Sequence, residues 1–212
     1  MLRKCRLVAM AAVLKTAGWK RPVSSSLTTS ANILNQSTTV FNTQSYIFFL
    51  REWLSNFALS PFTTTVPTET SYISFTFPTV EHYFMYMKAA VFKDWEVAEQ
   101  ILLVPGNRPL EAKHKGRQVR NYDESVWAGI RYQIMLEGNY QKYTQNDDFK
   151  LKLMNTGCKI LVEANPVDGI WGVALDARDS RITDPCNWKG LNLLGLVLME
   201  VRAMLVAQEE TP

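Results

Sequence analysis

Cysteine is scarce. The chain has three in 212 residues, Cys5, Cys158 and Cys186, too few and too scattered for a disulfide framework or a cysteine zinc site. Histidine is scarcer still. His82 and His114 are the only two, and neither has a second His or a Cys at metal-ligand spacing, so no zinc is expected. The longest uncharged apolar run near the start, Leu7 to Leu14, is far short of the ~20 residues that a membrane span needs. There is no Gly-rich phosphate loop of the P-loop or dinucleotide type, no nucleophile elbow and no His-Glu-x-x-His. A Ser-His-Asp or Cys-His device would have to use one of the two histidines, and nothing beside either supports it.

Acidic residues are missing from the first 51 positions, which carry Arg3, Lys4, Arg6, Lys15, Lys20, Arg21 and Arg51. The remaining 16 basic residues face all 20 acidic ones, so the body is mildly acidic although the whole chain carries +3. A general nucleic-acid-binding surface on the body is therefore unsupported, because phosphate affinity needs clustered positive charge. Pro22 to Ser45 carries 11 Ser or Thr in 24 positions. A basic, hydroxyl-rich, acid-free extension has the composition of a mitochondrial transit peptide. A disordered extension and an early start codon stay open beside it. A secretory signal is the weaker reading, because Lys15 follows the apolar run directly. The expected organisation is an extension over 1–45, one domain over 46–208 and a short tail over 209–212. The location is expected to be cytoplasmic, or mitochondrial if the extension is a transit peptide.

At 47% hydrophobic, the chain is ordinary for a globular protein and too apolar for a disordered one. Tyr46 to Leu50 and Lys159 to Glu163 are short apolar runs that predict strands. Ser71 to Phe77 alternates with period two, as a half-buried strand should, and Trp53 to Pro61 leads into a loop. Helices are predicted over 80–93 with Thr79 as N-cap, 95–103, 109–119 with Pro109 at its first position, and 126–140 capped by Asp123 or Ser125. Two more are predicted over 147–156, closed by Gly157, and over 191–208. The sum is an α+β domain, compact and mostly helical, with a few short strands.

Several residues suit the cleavage of an N-glycosidic bond. Glu81 places a carboxylate at a helix start amid aromatics, with Lys88 seven residues on along the same face. Lys113 and Arg117 lie four apart, as do Trp127 and Arg131. Asn165-Pro166-Val167-Asp168-Gly169-Ile170-Trp171-Gly172 is a turn-rich loop with a carboxylate three residues before an indole, and Asn192 lies just before the last helix. Such a bond breaks through an oxocarbenium-like transition state. A carboxylate near the anomeric carbon stabilises that charge or positions water, and a second acidic group or the base itself handles the leaving-group proton. Trp faces stack on a base, and Lys and Arg hold phosphate. The structural readings are just as definite. A first-turn Glu commonly serves the helix dipole. Asp in a turn commonly closes an Asx-turn. His82 reads as a packed histidine.

The order of motifs resembles the NADAR (YbiA-like) domain family. The resemblance is carried by Leu54-Ser55-Asn56-Phe57 with Ser60-Pro61-Phe62, Val80-Glu81-His82-Tyr83 with Lys88-Ala89, Ala112-Lys113 with Gly116-Arg117, and Trp127 with Arg131 and Met135. It continues through Gln145-Asn146, Thr156-Gly157, Leu161-Val162-Glu163-Ala164, Asp168 with Ile170-Trp171-Gly172, and Trp188-x-Gly190-x-Asn192-x-Leu194-Gly195 with Leu198-Met199 and Arg202. The resemblance implies metal-free, cofactor-free N-glycosidase activity. The substrate it implies is nucleotide-like: a ribosylamino-pyrimidine of riboflavin synthesis, or ADP-ribose on guanine, free or in nucleic acid. It implies Glu81 and Asp168 as catalytic residues, with Lys88, Lys113, Arg117, Trp127, Arg131, Trp171 and Asn192 on the substrate. The other reading is a module that binds NAD or ADP-ribose without cleaving it. Oligomeric state is left open. Two departures stand out: Ala174 lies where the family often has glycine, and Pro61 to Thr76 is Thr-rich and long.

Overall fold

The structure, a computed structural model, describes residues 45–209. The expectations for the extension over 1–44 and for the last three residues lie outside the described part. Strand β1 (Tyr46–Phe49) pairs in parallel with β4 (Ile160–Glu163), Tyr46 opposite Ile160 and Phe49 opposite Glu163. Strand β2 (Phe62–Pro67) forms an antiparallel pair with β3 (Tyr72–Phe77), Phe62 opposite Phe77. The described residues form six α-helices: α1 (Val80–Val91), α2 (Trp95–Leu102), α3 (Pro109–Gly116), α4 (Glu124–Thr144), α5 (Asp147–Met154) and α6 (Leu193–Glu209).

Strand β2 lies in the Thr-rich stretch between Pro61 and Thr76, where the sequence pattern predicts no strand before Ser71. Its β-branched threonines suit a pleated strand, but only Phe62 and Val66 are buried, and three threonines separate them. Alternation is therefore weak in the sequence. The strand's outer edge is covered by Gln145, which accepts from Thr63 N (2.8 Å) and donates to Thr63 O (2.8 Å).

Helix α1 is central. Nine of its residues are buried, Glu81 and His82 among them, so it lies inside the protein rather than along its surface. Thr79 caps it, its hydroxyl accepting from His82 N (3.3 Å) and pairing with His82 Nδ1 (2.8 Å). His82 is thus a packed, capping histidine. A side chain at Gly116 would collide with Met85, so α3 can lie directly against α1 only because that position is bare. Helix α3 ends there rather than at Val119. The segment beyond it is pinned by Asp94, which caps α2 and accepts from Arg120 N (2.8 Å) and Nε (3.0 Å). Helix α4 is longer at both ends than its sequence pattern, running from its Asp123 cap to Thr144.

A buried polar network ties α4 to the loop before β2. Lys142 is fully buried and donates from Nζ to Trp53 O (2.7 Å) and Ser55 O (3.1 Å). Asn139 donates to Asn56 Oδ1 (3.2 Å) and Met135 O (3.0 Å), and Asn56 donates to Met135 Sδ (3.2 Å). The carbonyl of Asn56 in turn accepts from Glu81 N (3.0 Å), so this loop fixes one of the unpaired amides at the start of α1.

Burial without an acidic partner pushes the Lys142 ammonium down to about 7. Unfolded, the same lysine keeps its proton to about pH 10. Stability gained from this residue therefore rises as pH climbs from about 7 toward 10, because the unfolded chain binds more protons over that range. Lys142→Met removes the donors of two buried carbonyls and is expected to cost about 1–3 kcal/mol. The cost should be larger at pH 9 than at pH 6, where the native chain already bears a buried charge. Urea unfolding at the two pH values checks both points, and an equal loss at both would contradict this account of Lys142.

Candidate active site

Glu81 sits in the first turn of α1 and is only 5% exposed. Its carboxyl is pushed up to about 7, by burial first. Lys113 opposes the rise, Asp168 adds to it, and Arg117 opposes it. These four side chains come from α1, from α3 and the residue that closes α3, and from the loop after β4. They lie close enough for each charge to act on Glu81.

Asp168 is oriented by its own loop. One carboxylate oxygen accepts from Ile170 N (2.9 Å) and Trp171 N (2.8 Å). The Asx-turn expected of such an aspartate is therefore present, and the charge it fixes acts on Glu81. The Trp171 ring meets the edge of Phe84, one turn along α1 from Glu81, at 5.3 Å between centroids. Lys113 lies half-buried, with its ammonium 5.6 Å from the Phe57 ring centre, and Arg117 is exposed.

The other residues singled out in the sequence fall in different places. Lys88 donates to Gly116 O (2.9 Å), and its ammonium lies 4.2 Å from the Tyr122 ring centre. Its proton affinity is lowered, by burial first, with Glu124 opposing and Arg117 adding. Lys88 thus braces the end of α3 and adjoins Arg117. Arg131 pairs with Glu124 at 2.9 Å, which draws it to the same side of α4 as Lys88. Trp127 is buried, packed 5.0 Å from Phe84 and 6.4 Å from Phe92 between ring centroids, so its ring has little open face for a base. Asn192 is buried too. Its amide accepts from Glu163 N (3.0 Å) and donates to Leu161 O (2.9 Å), and its backbone takes a left-handed φ of 52°. It locks the end of β4 to the start of α6, and its amide is occupied by protein backbone.

Glu163, the last residue of β4, is a member of this group that the motif reading quoted without giving it a role. Its carboxyl is also pushed up to about 7, by burial first, then by Asp168; Lys113 opposes, Glu81 adds, and the Asn165 side chain opposes. The signal lay in its position at a strand end five residues before Asp168. Ala174, in the position often held by glycine, has φ 54°, the left-handed region that glycine enters freely. The loop following Trp171 keeps this conformation with alanine. Among the described residues, no three His, Cys, Asp or Glu side chains are grouped so as to hold a metal ion.

The same arrangement of motifs is found in known proteins. The profile of the NADAR domain matches residues 47–206. The chain belongs to the NADAR domain family. Protein irg-1 of Caenorhabditis elegans is 39% identical over 132 residues, covering 61% of this chain and 61% of irg-1. An N-glycosidase of Acanthamoeba polyphaga mimivirus is 38% identical over 122 residues, 58% of this chain and 71% of the viral protein. The NMR structure of YbiA from E. coli matches with a TM-score of 0.61 and 27% identity, covering 80% of this chain and 89% of YbiA. The chain thus spans about three fifths of irg-1, but nearly nine tenths of the YbiA structure that shares its α+β fold.

Holding an ionisable Glu81 inside the protein has a measurable consequence. Its proton affinity is higher folded than unfolded, so its contribution to stability is full below about pH 4.5 and is lost as pH rises through about 7. Glu81→Gln is expected to unfold less readily than the native chain at pH 8, by up to about 3 kcal/mol, and to show no such gain at pH 4. Chemical denaturation at both pH values measures this. A variant no more stable at pH 8 than the native chain would show that the Glu81 site is not strained by its charge.

Proposed function

We propose that this chain hydrolyses the N-glycosyl bond of a phosphorylated ribosylamine or nucleotide-like substrate. The observation that carries this reading is the buried Glu81 carboxylate, which shares its surroundings with Asp168, Lys113 and Arg117 and lies one helical turn from the Phe84–Trp171 contact. A negative charge fixed in a water-poor setting favours a developing ribosyl cation far more than the same charge in water. Trp171, half-buried, offers a face to the departing base. Arg117, exposed and next to Lys88, suits a phosphate, with Lys113 closer to the sugar. Asp168 orients the attacking water or a ribose hydroxyl. The names of the viral and bacterial relatives as N-glycosidases agree with this chemistry.

The substrates that best match these requirements are a ribosylamino-pyrimidine phosphate of riboflavin synthesis and ADP-ribose joined to guanine. Both pair a nitrogen-linked ribose with phosphate. Glu81→Gln is expected to bind such a compound with little change in affinity and to lower turnover by ~10² or more, as loss of one fixed charge partner does elsewhere. Incubating the full chain with a ribosylamino-pyrimidine 5′-phosphate, ADP-ribosylated guanosine and NAD, and measuring free base by mass spectrometry, tests the reading. Binding of all three with every ligand recovered intact would instead make the protein a binding module.

A further inference from the structure

Glu163 is held by its backbone, and the Asn165 side chain bonds its carboxyl. Its amide donates to Asn192 Oδ1 (3.0 Å), and its carbonyl accepts from Val173 N (3.0 Å), so the end of β4 cannot swing. One oxygen of its carboxyl, Oε2, is buried and has no hydrogen-bond partner among the described residues. A buried oxygen left unpaired is costly, and a purely structural glutamate would be expected to use it.

The charges around it decide which acid carries a proton. Glu163 is faced by Glu81 from α1, Asp168 and the Asn165 amide from the following loop, and Lys113 from α3: two carboxylates against one cation. Glu81 is faced by Lys113 and Arg117, with Asp168 and Glu163 itself opposing: two cations against two carboxylates. Glu81 and Glu163 are both raised by burial and by Asp168, so the two do not ionise readily together, and the proton favours the carboxyl with fewer cations beside it.

We propose that Glu163 is the general acid that protonates the departing base, while Glu81 stays ionised to face the ribosyl cation. This assignment rests on the glycosidase reading of the same site. In the step, the bond between C1′ and the base nitrogen breaks and its electron pair goes to that nitrogen, which takes the proton of Glu163. Water adds to C1′ through an oxygen lone pair and gives its extra proton to Asp168, which passes it to solvent. Glu163 recovers a proton from solvent. The products are the free base and the ribose hemiacetal.

The test uses the full chain, Glu163→Gln and Glu163→Asp, and two probes. A ribosylamino-pyrimidine 5′-phosphate releases a base that must be protonated. Nicotinamide mononucleotide releases a pyridine that leaves neutral without a proton. Glu163→Gln is expected to lose ~10²-fold or more in kcat on the first probe and no more than a few-fold on the second, with Glu163→Asp recovering part of the loss. The native chain should lose activity on the first probe as pH rises above about 7, the range to which Glu163 is raised, and this falling limb should be absent from Glu163→Gln. Equal losses on both probes, a variant as active as the native chain on the first, or a falling limb that persists in Glu163→Gln would each overturn the role of Glu163 while leaving the glycosidase reading intact. A native chain that frees no base from either probe would overturn both.

Discussion

The protein is organised around a carboxylate that it would be more stable without. Glu81 is buried in the first turn of a helix that is itself core, and among the described residues no ion pair neutralises it within hydrogen-bond distance. What keeps it there is support from a distance. Thr79 caps the helix, Asn56 O takes up the Glu81 amide, and Lys142 with Asn139 holds the Asn56 loop from behind. The positive end of the helix lowers the cost of the charge. Much of the polar network inside the domain is thus devoted to the geometry of one turn. Most polar atoms of the network find partners, and Asn139 Oδ1 is left without one.

The acidic and cationic sides of the site are built by different parts of the chain. Glu163 and Asp168 come from β4 and its following loop, which Asn192 fastens to α6. Lys113 and Arg117 come from α3, which the bare Gly116 brings against α1 and which Lys88 braces by bonding its last carbonyl. Helix α1 stands between the two and supplies Glu81. An aromatic series runs along it: Trp171 against Phe84, Phe84 against Trp127, Trp127 toward Phe92, and Phe92 against Tyr122. This series sets the distance between the Asp168 loop and the Lys88–Arg131 side, so the width of the site is a property of packed rings rather than of loops alone.

Much of this was legible in the chain itself. The six helices follow from apolar spacing and from Thr79, Asp123 and Pro109, because caps and a first-turn proline act locally. Strand β2 was not legible, since its stability comes from Phe77 and Tyr83 packing on Phe62 and from Gln145 covering its edge, all distant in sequence. Among the candidate site residues, Glu81, Lys113, Arg117 and Asp168 stand in the motifs, and the fold brings their charges within reach of one another. Trp127 and Asn192 belong to the same motifs but face core and backbone, because a pattern of residue types cannot say which partner a ring or an amide will meet. Glu163 went unassigned because its significance comes from an oxygen without a partner, and only the folded arrangement shows that.

The parallel pairing of Tyr46 with Ile160 and Phe49 with Glu163 joins the first described strand to one more than 110 residues later. A parallel ladder cannot close as a local hairpin. During synthesis, β1 therefore emerges from the ribosome long before β4 and its Glu163 exist, and Asp168 and Asn192 come later still. The acidic side of the candidate site is therefore assembled late, and a product that stops short of β4 holds Glu81 without Glu163, Asp168 or the Asn192 clasp.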